Sequence, residues 1–168
     1  MTLSMHRASV AMFLRGLNVT LGLIDKAEAH ALEAGIDPDS LAEARLAPDM
    51  LPFSGQIQRA SDASKLSVER LTGVAAPKFE DNEKTLDELR ARLRATIAYL
   101  EGIEPAAFDG AEAKTISLPF GAIPPFTGEG YLMTFALPNF YFHVTTAYAI
   151  LRNQGVAVGK IDYLGPYA

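Results

Sequence analysis

Residues 137–160 read LPNFYFHVTTAYAILRNQGVAVGK, and their reading decides the fold. The stretch joins the densest aromatic cluster of the chain (Phe140, Tyr141, Phe142 and Tyr148) to His143, one of only three histidines. Its apolar positions and Gly155 at the far end predict a long buried helix that stops at that glycine. Upstream, Pro138 either opens a helix or kinks one, because proline lacks the N–H that an interior position needs. A kinked helix over 129–153 is the expectation. If the chain has a site, His143 marks it.

The segments before this helix supply its partners. Val10, Phe13, Leu14, Leu17, Leu21 and Ile24 recur at three- and four-residue steps, which predicts a core-facing helix from a Ser4 cap to about residue 33, before Gly35. His6 falls in its first turn and His30 near its end, where a surface position is expected. Phe53, Ile57, Ala60, Ser64, Val68 and Leu71 form the stripe of a second helix over 52–71, opened by Pro52 and followed by Gly73. Gln56 and Asp49 lie at its start and either point into the end of a bundle or cap and solvate the helix. Thr85 and Glu88 have capping-box spacing and begin a third helix over 83–101, with the stripe Leu86, Leu89, Leu93, Ile97 and Leu100. Arg90, Arg92 and Arg94 flank that stripe and are expected on a solvated face, with Glu88 and Arg92 as an i,i+4 pair.

Between the helices lie breaker-rich connections. Asp37, Pro38, Pro48 and Asp49 make 36–50 a crossing loop with one helical turn near 39–44. Segment 102–128 contains Pro105, Gly110, Pro119, Gly121, Pro124 and Pro125, and within it KTISL (114–118) is β-branched enough for one strand of a small hairpin. The tail after Gly155 is too apolar for a disordered end and is expected to pack back onto the body.

Composition excludes several function classes. A chain of 168 residues, 49% hydrophobic and 21% charged, suits one compact domain over 1–168. Arg7, Arg15, Asp25 and Lys26 interrupt the N-terminal apolar segment, so neither a membrane span nor a signal peptide is expected, and a cytoplasmic location follows as the simplest reading. The chain has no cysteine, which removes disulfides, thiolate metal sites and cysteine nucleophiles. A net charge of −5 without a basic block argues against nucleic-acid binding.

The runs APDMLPFSGQIQRASD (47–62), PKFEDNEKTLDEL (77–89) and ALPNFYFHVTTAYAILRNQGVAVGKIDYLG (136–165) together resemble the uncharacterised domain-of-unknown-function branch of the DinB/YfiT-like superfamily. The resemblance implies an all-α four-helix bundle of up-down-down-up topology with long connecting loops, and a homodimer. In the wider superfamily three histidines hold a divalent metal, one near the start of the second helix and two spaced by four on the fourth. The best characterised relatives are thiol-dependent transferases. Here His143 matches the first of the fourth-helix pair, Ala147 stands at the second position, and Gln56 falls where the second-helix histidine would be. One imidazole does not make a tight metal site, so no metal and no cofactor are expected.

Three readings remain open on the sequence. In one, the chain is a binding bundle that holds a small molecule in a pocket, polar on one side and aromatic on the other, formed by His143, Gln56, Asn139 and Tyr148. In the second, it is a transferase or hydrolase-like enzyme with His143 as general acid or base and Tyr148 or Asn139 orienting the substrate. In the third, His143 is a core histidine hydrogen-bonded to Gln56 or a carbonyl, with no ligand.

Overall fold

The computed structural model describes residues 3–119 and 123–166. Gly121 of the long connection and Tyr167 of the tail therefore lie outside the described residues. Helix α1 (Met12–Ala34) continues from a π-helical turn at Arg7–Ala11, and Ser4 accepts from the backbone N–H of Arg7. Helices α2 (Phe53–Thr72) and α3 (Leu86–Glu101) follow, each within a few residues of the expected span. Helices α1 and α2 end on Gly35 and Gly73, whose φ of 69° and 85° is a left-handed conformation that suits glycine. The capping box at Thr85 is complete: its hydroxyl accepts from the Glu88 N–H, and the Glu88 carboxylate accepts from Thr85 N–H.

The fourth bundle helix is built from α4 (Gly128–Tyr131), a π-helical turn at Leu132–Ala136, and α5 (Leu137–Asn153). Pro138 sits in the first turn of α5, directly after the π-helical turn, which takes up the break in the regular hydrogen-bond ladder. Two elements complete the chain. Strands β1 (Thr115–Ile116) and β2 (Phe126–Thr127) form the expected small antiparallel hairpin, and α6 (Lys160–Leu164) folds the tail back onto α1. The turn in the first crossing loop is a 3₁₀ helix, Pro38–Glu43.

Named pairs across the bundle establish the direction of each helix. Arg90 of α3 meets Asp25 and Glu28 of α1, while Ile103, just past α3, meets His6, so α1 and α3 run antiparallel. Arg92 and Thr96 of α3 meet Asp62 and Ser61 of α2, and Tyr99 reaches Val74, so α2 and α3 run parallel. Gln56 pairs with His143 and Ser67 with Tyr131, which makes α2 and the α4–α5 helix antiparallel. Phe140 and Gly155 approach Gly16 and His30, so α5 runs parallel to α1. The order around the bundle is α1, α3, α2, α5, and the topology is up-down-down-up.

The core is continuous through all four layers: Phe13, Leu17 and Ile24 meet Ile57, Leu71, Leu93, Tyr131 and Phe140, each essentially inaccessible to solvent. The expected stripes of α2 and α3 are buried throughout. Of the α1 stripe, Leu14 and Leu21 are only half-buried, at the edge of the core they pack against. By length and composition the Arg7–Ala34 helix is apolar enough to cross a membrane, yet half of the qualifying window is buried inside the bundle.

One expectation is corrected. Arg94 is exposed, whereas Arg90 and Arg92 are buried. Arg92 does not pair with Glu88. It binds Asp62, Asp81 and Glu83 at 2.9 to 3.0 Å and lies over the Phe79 ring, so the 73–85 segment is clamped across α2 and α3. A parallel connection needs such a long return strap along the bundle, and carboxylates placed on the strap supply the counter-charges that let an arginine be buried.

Candidate functional site

Gln56 lies in the first turn of α2, only 2% exposed, and His143 lies opposite it in α5, half-buried. The Gln56 amide nitrogen donates to the Leu51 carbonyl at 3.1 Å, a bond only the nitrogen end can make. Its oxygen therefore faces His143 and accepts from Nδ1 at 2.8 Å. This arrangement assigns the tautomer: Nδ1 carries the proton and Nε2 keeps its lone pair, with no partner among the described residues. Burial, and secondarily the charge of Arg59 one turn along α2, pushes the His143 pKa down to about 4. At neutral pH the ring is an uncharged acceptor.

Phe142 stands edge-on to the imidazole, ring centres 5.2 Å apart, and is itself 55% exposed. Beside it is a shallow apolar concavity of about 430 Å³ between the crossing loop and α5, lined by Leu46, Tyr141, Phe142, Thr145, Thr146 and Ala149. Phe142 is the one link between them: it touches the imidazole and lines the concavity, whose lining does not include His143. The aromatic wall comes from Phe142 and Tyr141, and Leu46 joins it from a loop whose sequence signals only turns.

The four expected pocket residues are not all brought together. Gln56 and His143 are in direct contact. Asn139 is half-buried one turn before His143 on α5. Tyr148 points elsewhere: its ring packs edge-on against Tyr163 near α6, and an i+5 offset along α5 puts it well around the helix from His143. Asp49 is exposed. His6 donates from Nε2 to the Ile103 carbonyl and packs on Phe108, and His30 is half-buried beside Gly155.

A metal of the superfamily type does not fit these residues. The Nδ1 edge of His143 is occupied by Gln56, the Gln56 amide is tied to Leu51, and Ala147 is 1% exposed and packed in the core with no donor to offer. No group of three or more His, Asp or Glu side chains placed for a metal occurs among the described residues. A roomier cavity, about 980 Å³, lies away from this seam, between α1 and α6.

A search of curated proteins finds no match. A crystal structure of a DinB family member protein from Shewanella denitrificans is 43% identical, with a TM-score of 0.92, over 96% of this chain and 92% of that one. The family model described as domain of unknown function DUF1993 matches residues 5–164. Sequence and fold together make this chain a member of the DUF1993 family, a branch of the DinB-like superfamily.

Proposed function

We propose that the chain is a small-molecule-binding bundle whose site is the seam of α2 and α5 at His143. The observation that carries this reading is the 2.8 Å bond between His143 Nδ1 and Gln56 Oε1, which presents Nε2 as a fixed, uncharged acceptor. The exposed Phe142 stands edge-on to that ring and also lines an apolar concavity on the neighbouring face of α5, so a ligand body would reach the concavity across Phe142. The ligand class that matches is a neutral molecule with one O–H or N–H donor on an apolar or aromatic body. A pKa of about 4 favours binding over acid–base catalysis, since such a ring is not in its imidazolium form at neutral pH and is a weak base.

Para-cresol is a suitable probe, having one hydroxyl on a small apolar ring. Its addition should move the Nε2 resonance of His143 saturably, leave the Nδ1 proton in place and raise the melting temperature, and His143→Phe should abolish that thermal stabilisation. Unchanged His143 nitrogens at millimolar p-cresol, or equal thermal stabilisation of His143→Phe, would overturn the reading.

A further inference from the structure

Arg15 stands at the junction of two apolar voids. One is a 240 Å³ cavity enclosed by Gly16, Val144, Tyr141 and Tyr163 between α1, α5 and α6. The other is the groove of about 980 Å³ on the outer face of α1, lined by Ala11, Val19 and Gly22 and flanked by Ile161, which is 77% exposed. Arg15 and Val19 line both.

The guanidinium there has no carboxylate partner among the described residues. It donates only to the backbone carbonyls of Leu164 and Pro166, where the chain leaves α6. Every other charge in the groove is accounted for: Lys26, toward the far end, pairs with Asp162 at 2.7 Å. A guanidinium carries five donors in a fixed fork, so bonds to two carbonyls leave donors in hand for a carboxylate. An unneutralised cation beside apolar walls has the chemistry of a site for an anion with an apolar tail.

The floor of the groove is open as well. A Cβ added at Gly22 would meet nothing within 4 Å, and α6, which forms one wall, has no fully buried residue. From Arg15 to Lys26 the α1 face runs about 16 Å at the helical rise per residue, ample length for an extended aliphatic chain.

We propose that this groove binds an amphipathic carboxylate, its head on Arg15 and its aliphatic tail along Val19, Gly22 and Ile161. The site is separate from the His143 seam, and α6 is the strap that the ligand holds in place. The bound anion supplies the counter-charge that Arg15 lacks.

Decanoate is the probe, with decan-1-ol as its uncharged counterpart, both titrated calorimetrically into the full chain. Decanoate should bind saturably at one site, and decan-1-ol and Arg15→Gln should each weaken binding at least about tenfold, a modest demand on a charge-assisted hydrogen bond. Gly22→Leu should fill the groove and abolish binding while the helical circular dichroism and melting temperature are retained. The proposal is overturned by an absence of saturable binding up to about 1 mM, the weak limit of specific affinity. It is equally overturned if decan-1-ol matches decanoate or Gly22→Leu leaves binding intact. A ligand-free dimer in sedimentation that Gly22→Leu dissociates, with no saturable decanoate binding, would assign the groove to a second copy of the chain instead.

Discussion

The Phe140 ring lies 2.4 Å from the point where a Cβ on Gly16 would stand. Helices α1 and α5 run parallel, and at this contact they pack closely. Phe140 is fully buried, packed edge-on to Phe13 at 5.0 Å and Tyr141 at 5.2 Å, so the ring has nowhere to retreat. The glycine serves close approach, with no need for an unusual backbone angle.

Gly16→Ala should therefore destabilise the chain by about 1–3 kcal/mol, the usual cost of overpacking. Gly22→Ala, six residues on, should stabilise it by about 0.5–1 kcal/mol, since a helical alanine loses less backbone entropy and nothing obstructs its methyl group. Urea denaturation of the two variants checks the pair. Equal signs would show that the α1–α5 contact is not as tight as described.

Arg92 offers a second test, because it is 3% exposed and surrounded by Asp62, Asp81 and Glu83, with its Nε unpartnered. Arg92→Leu leaves Asp62 and Asp81 with only Arg59 and Lys65, and Glu83 with only the Gln58 amide. It should cost more than about 1 kcal/mol but less than a wholly uncompensated buried charge, which costs about 3–5 kcal/mol. The 73–85 strap should then become the first site of limited proteolysis. Loss of stability without cleavage in the strap would mean that Arg92 does not hold it.

The contrast between Arg92 and Leu93 shows what sequence reading reached. Leu93, like Leu86, Leu89 and Leu100, was legible because helical periodicity and apolarity agree there, and the same held for the Ser4, Thr85, Gly35 and Gly73 termini. Arg92 was not, since its acids come from α2 and from the strap, a long-range pairing with no local signature. The site divides in the same way. Gln56 and His143 were placed together through family resemblance, as positions of two superfamily ligands, whereas Tyr148 was misplaced by treating aromatic residues of one helix as one wall. Arg15 carried no signal at all, because its cavity forms only when α6 returns to α1.

Gln56→Glu tests the electrostatics of the seam. A carboxylate in place of the amide oxygen favours the imidazolium, so the His143 midpoint should rise well above the native value of about 4. Stability should fall at the same time, because the new oxygen faces the Leu51 carbonyl that now accepts from the amide. Histidine titration by NMR reads the first effect and urea denaturation the second. An unmoved midpoint would mean that Gln56 does not contact the ring in solution.

The His143 midpoint also sets a direction for stability against pH. The folded pKa is lowered from 6.5 to about 4, so within that window the unfolded chain takes up a proton that the folded chain refuses. Stability must then fall as pH drops from 6.5 toward 4, with no contribution from this group above the window and a constant penalty below it. Carboxylates titrate near the lower edge, so the test is the difference between the wild type and His143→Asn, whose amide N–H can still donate to Gln56. The advantage of the wild type over the variant should shrink steadily from pH 6.5 to pH 4 and be flat from pH 7 to pH 8. A difference that is constant across the window, or that grows on acidification, would show that His143 is not held neutral by the fold.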